Sequence, residues 1–216
     1  MELIQEHADL SAYLVADDVV DHDHPTVRET AAALRAAAGA GAHAYAEAAF
    51  EFVRDTVPHS ADSGDLRVSW RASDVLATRN GICYAKSHAL AALLRAEGIP
   101  TAFCYQRLVD EHECGDSCSG GAGACPGGPA AVHGLVAVLL PGRDAWARLD
   151  PRGNKPGVDA RFSLDEERLA FPVRPELGEV DYPVLHADPH PPTVRALRNS
   201  ADRLALWANL PTALPA

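Results

Sequence analysis

An α+β fold, with helices packed on one side of an antiparallel sheet, is predicted by three features of the 216-residue sequence. From Ile82 to Glu97, the residues Ile82, Ala85, Ala89, Leu90, Ala92, Leu93 and Leu94 recur at helical spacing, and Gly98 followed by Pro100 is a stop signal. Next come two apolar runs of strand length, Thr101–Leu108 and Val132–Leu140. Ala145–Asp150 is a third, and the intervening Pro141-Gly142-Arg143-Asp144 makes the last two a hairpin.

In chain order, the first twenty-odd residues are mixed, and the polar break Asp21-His22-Asp23-His24-Pro25 starts a helix over Thr26–Ala38 that Gly39 and Gly41 end. A second helix over about Ala42–Val57 places Tyr45, Ala49, Phe52 and Val53 on one half-buried face before Pro58 stops it. Ser60–Leu66 is turn-rich, and Ala72–Thr78 reads as a short helix ahead of Arg79-Asn80-Gly81. In the long helix that follows, Asn80 is the expected N-cap, which puts Gly81, Ile82 and Cys83 in the first turn. The segment Asp110–Ala130 is rich in glycine and cysteine, lacks periodicity and reads as a loop. Further on, Ser163 and Glu166 have capping-box spacing, Pro172–Pro192 is a proline-punctuated meander and Thr193–Asn209 reads as a C-terminal helix.

The composition, 47% hydrophobic and 23% charged, is that of a globular protein. At about 100–200 residues per domain, one domain is expected over residues 1–216. Its core lies at about 42–160, with the Cys/Gly-rich loop at 110–130 and a C-terminal helical extension at 161–216. A net charge of −11 argues against a nucleic-acid footprint. No window approaches a membrane span and MELIQEHADL lacks signal-peptide character, so a soluble, cytoplasmic protein without membrane partners is expected. Five cysteines cannot all be paired within the chain, which makes thiol chemistry the question to pursue.

A thiol attacks as its thiolate, and a helix N-terminus or a neighbouring imidazolium favours that form, so Cys83 is the candidate nucleophile. His133 is the candidate base. If Pro141–Asp144 form the hairpin loop, Leu140 faces Ala145 and Asp150 faces Leu135, two residues from His133 on the same side of the sheet. Asp150 could then orient the imidazole and support its cation. A one-residue slip would send the two to opposite faces. Each residue also has a plain structural reading: a buried thiol, a satisfied core histidine and a turn-forming Asp before Pro151.

The stretches Asn80-Gly81-Ile82-Cys83-Tyr84-Ala85-Lys86-Ser87, His133-Gly134 and Leu149-Asp150-Pro151-Arg152-Gly153-Asn154, in the order Cys, His, Asp, resemble the transglutaminase-like superfamily of papain-like cysteine enzymes, bacterial single-domain type. The resemblance covers about Phe50–Asn154. It implies a papain-like cysteine-proteinase fold with Cys83 as nucleophile opening a helix, His133 as base and acid, and Asp150 as orienting carboxylate on adjacent strands. The implied activity is hydrolysis or acyl transfer on an amide through a thioester, with a peptide or protein side chain as substrate and an amine as a further acceptor. One oxyanion donor would be the Cys83 backbone N–H; Tyr84, Gln106 and Trp70 are candidates for a second. The alternatives are a non-catalytic binding or scaffold module that keeps the fold, and a zinc-stabilised interaction domain.

That last alternative looks to His112, Cys114, Cys118 and Cys125, soft ligands in a glycine-rich loop. Cys-x3-Cys-x6-Cys is not a defined zinc spacing, so no cofactor is expected; a lid, or a redox gate through a disulfide to Cys83, is the other role open to this loop. Asp17, Asp18, Asp21, His22, Asp23 and His24 lack the order of a calcium loop and read as an exposed acidic turn. His59, Ser60 and Asp62, just upstream of the Cys segment, are candidates to line the cleft, whereas His88 should point elsewhere. There is no Gly-x-Ser-x-Gly elbow and no glycine-rich phosphate loop, which sets aside serine hydrolases and nucleotide binding.

Overall fold

The computed structural model describes residues 1–109 and 130–215. Strand β1 (Ile4–Gln5) and a 3-10 turn (Leu10–Leu14) lead into helices α1 (Pro25–Ala38), α2 (Ala42–Thr56), α3 (Ser60–Ser63), α4 (Ala72–Thr78) and α5 (Cys83–Ala96). Strands β2 (Thr101–Val109), β3 (Ala130–Val138) and β4 (Ala147–Leu149) follow. After them come β5 (Val180–Asp181), β6 (Val184–Leu185), α6 (Pro191–Arg198) and α7 (Arg203–Ala208). The main sheet is antiparallel in the order β4-β3-β2-β5, and β1 pairs with β6 in parallel as a separate ribbon.

Helix α5 is buried all the way round, from Cys83 to Arg95, which is why its apolar positions form a broad face rather than a stripe. Strand alternation divides the core in two. Phe103, Tyr105, Val132, Val136 and Val138 pack with α5 and the other helices, while Ala102, Cys104, Leu135 and Ala137 face Tyr13 and Leu185. The sheet is therefore covered on both sides, the second by the N-terminal turn and the ribbon. Val136 pairs with Leu149, which is the register expected from a Pro141–Asp144 turn. The ladder itself ends at Val138 and Ala147, and Asp150 lies one residue beyond β4.

Because β4 is so short, the edge of β3 beyond it is satisfied by other groups. The Val132 N–H donates to Pro211 O at 2.8 Å, Tyr84 Oη donates to Val132 O, and Ser87 Oγ donates to Gly134 O at 3.2 Å. Two α5 side chains thus grip the carbonyls on either side of His133. The fit requires glycine, since a Cβ at Gly134 would lie 2.7 Å from Tyr84 Cδ1. Lys86, fully buried, donates to the last-turn carbonyls Arg54 O and Val57 O of the α2 terminus, tying α5 to it.

Four sequence expectations need correction. Asn80 does not cap α5: its side-chain amide donates to Arg67 O at 2.9 Å, and Ile82 takes the cap position without a side-chain bond. Ser163 Oγ does accept from Glu166 N at 3.1 Å, but no helix follows. The C-terminal helix is two helices, α6 and α7, because Asp202 caps a new start by accepting from Ala205 N at 2.8 Å. Residues 161–216 are also not only helical, since β5 joins the main sheet beside β2. The expected loop at 110–130, with His112, Cys114, Cys118 and Cys125, lies outside the described residues except for Ala130, which starts β3. No helix among the described residues is long and apolar enough to cross a membrane.

Candidate active site

Cys83 is the first residue of α5 and lines a cleft of about 710 Å³. With no side-chain cap at Ile82, the N–H groups of the first turn stay open and give that end of the helix its positive character. Gly81 brings the chain in beside His59: the two form a parallel bridge, and Ser60 N donates to Gly81 O at 3.1 Å.

His133 projects from β3 into the same cleft, and its Nε2 lies 2.8 Å from Asp150 Oδ2. Asp150 is fully buried and also accepts from Arg152 N and Ala170 N, both at 3.1 Å. Those two backbone bonds fix the carboxylate, and the carboxylate in turn fixes the ring. With Nε2–H given to Asp150, Nδ1 is the nitrogen left for Cys83, whose sulfur shares the cleft with the ring. Burial works against the imidazolium, but Asp150 and the Cys83 sulfur outweigh it and push the His133 pKa up to about 10. Burial likewise opposes the Asp150 anion, and the His133 cation with the backbone donors more than offsets it, holding that carboxyl below its ordinary range. Phe171 stands edge-on to the imidazole with centroids 5.2 Å apart.

All three residues expected from the sequence are therefore brought together. His59 and Asp62 also line the cleft, whereas His88 points away and bonds Trp70 O through Nδ1 at 2.8 Å. Tyr84, Gln106 and Trp70 do not border it: Tyr84 Oη is held by Val132 O, Gln106 Nε2 by Asp181 Oδ1 at 3.0 Å, and the Trp70 ring lies beneath Arg71 and Arg198. The structure adds groups that sequence spacing does not reach. Arg152 and Lys155 both bind Asp62, Phe171 comes from the segment after β4, and Trp207 comes from α7. Arg152 lies in the Asp-Pro-Arg stretch and could have been found there; Phe171 and Trp207 carry no local signal.

Against known proteins, the family model described as the transglutaminase-like superfamily matches residues 28–151. The chain belongs to this superfamily. The match begins upstream of the resemblance read from Phe50, so it includes most of α1 and all of α2, and it ends just past Asp150. No curated protein matches the chain. Among solved structures, it is similar to one titled a "putative cysteine protease" from Cytophaga hutchinsonii, with 17% identity and a TM-score of 0.49. That similarity covers 68% of this chain and 43% of the other, so the transglutaminase-like chain spans less than half the length of that protein. Membership makes a cysteine-type hydrolase or transferase the coarse reading of the chain.

Proposed function

We propose that the chain is a cysteine-dependent amide hydrolase or acyltransferase, with Cys83 as nucleophile, His133 as general base and acid, and Asp150 as the orienting carboxylate. The 2.8 Å bond from His133 to Asp150 carries this reading, because it leaves Nδ1 for a thiol held at an open helix N-terminus. With its pKa near 10, the ring stays cationic beside the sulfur at neutral pH, so it can stabilise a thiolate and later give up a proton.

Attack forms the S–C bond and places the carbonyl electron pair on oxygen, where the Cys83 N–H can donate to it. The C–N bond breaks as His133 passes its proton to the leaving nitrogen, and a thioester remains. Neutral His133 then takes a proton from water or from an amine as that nucleophile attacks the thioester. Collapse releases an acid or a new amide and restores the thiolate–imidazolium pair. A cleft of about 710 Å³ fits a peptide segment or a side chain with its flanking backbone. A thiolate nucleophile has to stay reduced, which suits the cytoplasm.

The test is to incubate the protein with a mixture of casein peptides and a fluorescent primary amine. New peptide termini or released ammonia indicate hydrolysis, and fluorescent peptides indicate transfer; either is expected, and each should vanish in Cys83→Ala. Peptides unchanged in mass and free of fluorophore would contradict the proposal.

A further inference from the structure

His59 sits where α3 starts, paired through its backbone to Gly81, two residues before Cys83. It is 9% exposed and borders the cleft together with Cys83 and His133. Its Nδ1 accepts the Ala61 N–H at 3.3 Å, which assigns the ring proton of the neutral form to Nε2. No described residue hydrogen-bonds that Nε2–H, although the ring is nine-tenths buried and the cleft is the open space beside it. Trp207 packs edge-on against the ring, with centroids 6.4 Å apart, and limits its rotation. A donor that faces the cleft and has no protein partner is free to bond a group on a bound substrate, and a developing oxyanion is one such group.

We infer that His59 is a catalytic residue, its Nε2–H acting with the Cys83 backbone N–H as the second donor to the oxyanion of the tetrahedral intermediate. This rests on the proposed Cys83 chemistry. The turn that carries His59 is clamped to the rest of the site: Asp62, three residues on, binds the Arg152 guanidinium, and the Arg152 N–H binds Asp150. Asp62 and Arg152 are thus positioning residues that link the donor to the His133–Asp150 pair. Burial and the nearby Arg152 hold the His59 pKa well below its ordinary value, so the ring is a neutral donor throughout the working range. It adds no second cation to compete for the thiolate.

Two reactions of the same thiol separate this role from a structural one. In alkylation by iodoacetamide, the sulfur displaces iodide and no oxyanion forms. In acetylation by p-nitrophenyl acetate, the new S–C bond passes through a tetrahedral oxyanion before the C–O bond breaks and p-nitrophenolate leaves. Both rates are read at Cys83 by peptide mapping, with Cys83→Ser giving the background. His59→Phe is expected to slow acetylation by about 10²–10³-fold while alkylation stays within a few-fold of the parent. His59→Gln, which restores an N–H donor, should recover at least tenfold of that loss. If the Phe variant does not fold, His59→Ala carries the same expectation. A folded variant that acetylates at the parental rate, or that loses both reactions equally, overturns the assignment. A parent whose Cys83 acetylates no faster than background would overturn the proposed function itself, and the assignment with it.

Discussion

Asp150→Asn lowers kcat/KM on any peptide amide the protein cleaves by on the order of 10³–10⁴-fold, with little change in the shape of the site. The buried carboxylate offsets the burial cost of the His133 cation and fixes the ring with Nε2–H toward Asp150 and Nδ1 toward Cys83. An amide at that position can offer its N–H to Nε2 instead, which inverts the tautomer. The pH profile should move as well. In the parent, the cationic ring is lost only as pH rises through about 10, so the alkaline fall in activity belongs there. Without the carboxylate that limb moves to lower pH. The same linkage makes the parent's stability from this pair complete below the ordinary histidine value near 6.5 and lost as pH rises through about 10. Rate profiles and melting curves across pH 5–11 read both effects, and a rate within tenfold of the parent would contradict the role given to Asp150.

Asp62→Ala lowers the unfolding free energy by on the order of 2 kcal/mol at neutral pH. It removes the carboxylate shared by Arg152, whose side chain is 7% exposed, and Lys155, whose Nζ lies 2.9 Å away, and so leaves a buried guanidinium unpaired. The expected loss is smaller than the roughly 3–5 kcal/mol of a fully buried pair, because the Asp62 side chain is 33% exposed and its interactions are screened by solvent. Burial alone would raise the Asp62 carboxyl; hydrogen bonds from Arg152 and Lys155 bring it down to about 2. A depressed carboxyl contributes fully above its unfolded value near 3.9 and loses that contribution as pH falls through about 2. The difference between parent and variant in urea unfolding should therefore be widest above pH 4 and close toward pH 2. A difference that does not vary with pH would mean the carboxylate's charge is not what stabilises the turn.

The placement of Cys83, His133 and Asp150 around one cleft was legible wherever local signals were strong. Counting residues around Pro141–Asp144 is enough to place Asp150 opposite Leu135, and the observed pairing of Val136 with Leu149 is the same register. Cys83 at a helix start could be read from punctuation, although Asn80 was the wrong cap: Ile82 contributes no side-chain bond, a form of helix start that leaves no mark in sequence. Two-residue strands such as β5 and β6 are too short to show alternation. The Ser163–Glu166 spacing produced its turn but had no apolar run behind it to extend into a helix. Phe171, Trp207 and the clamp from Asp62 to Arg152 depend on chain segments far apart in sequence, which meet only after the sheet and α5 are packed.

In the proposed mechanism Cys83 and His133 act as a thiolate–imidazolium pair. This pairing is tested most directly by the pH dependence of iodoacetamide alkylation, resolved thiol by thiol through peptide mapping, in the parent and in His133→Ala. Cys104 is an internal control, since burial pushes its thiol up to about 12 and it should stay unlabelled. Cys83 is expected to react fast and selectively at neutral pH in the parent, and to lose that reactivity in His133→Ala. A Cys83 that is inert at that pH, or that reacts equally fast without His133, would contradict the account and favour a binding module that keeps the fold without the chemistry.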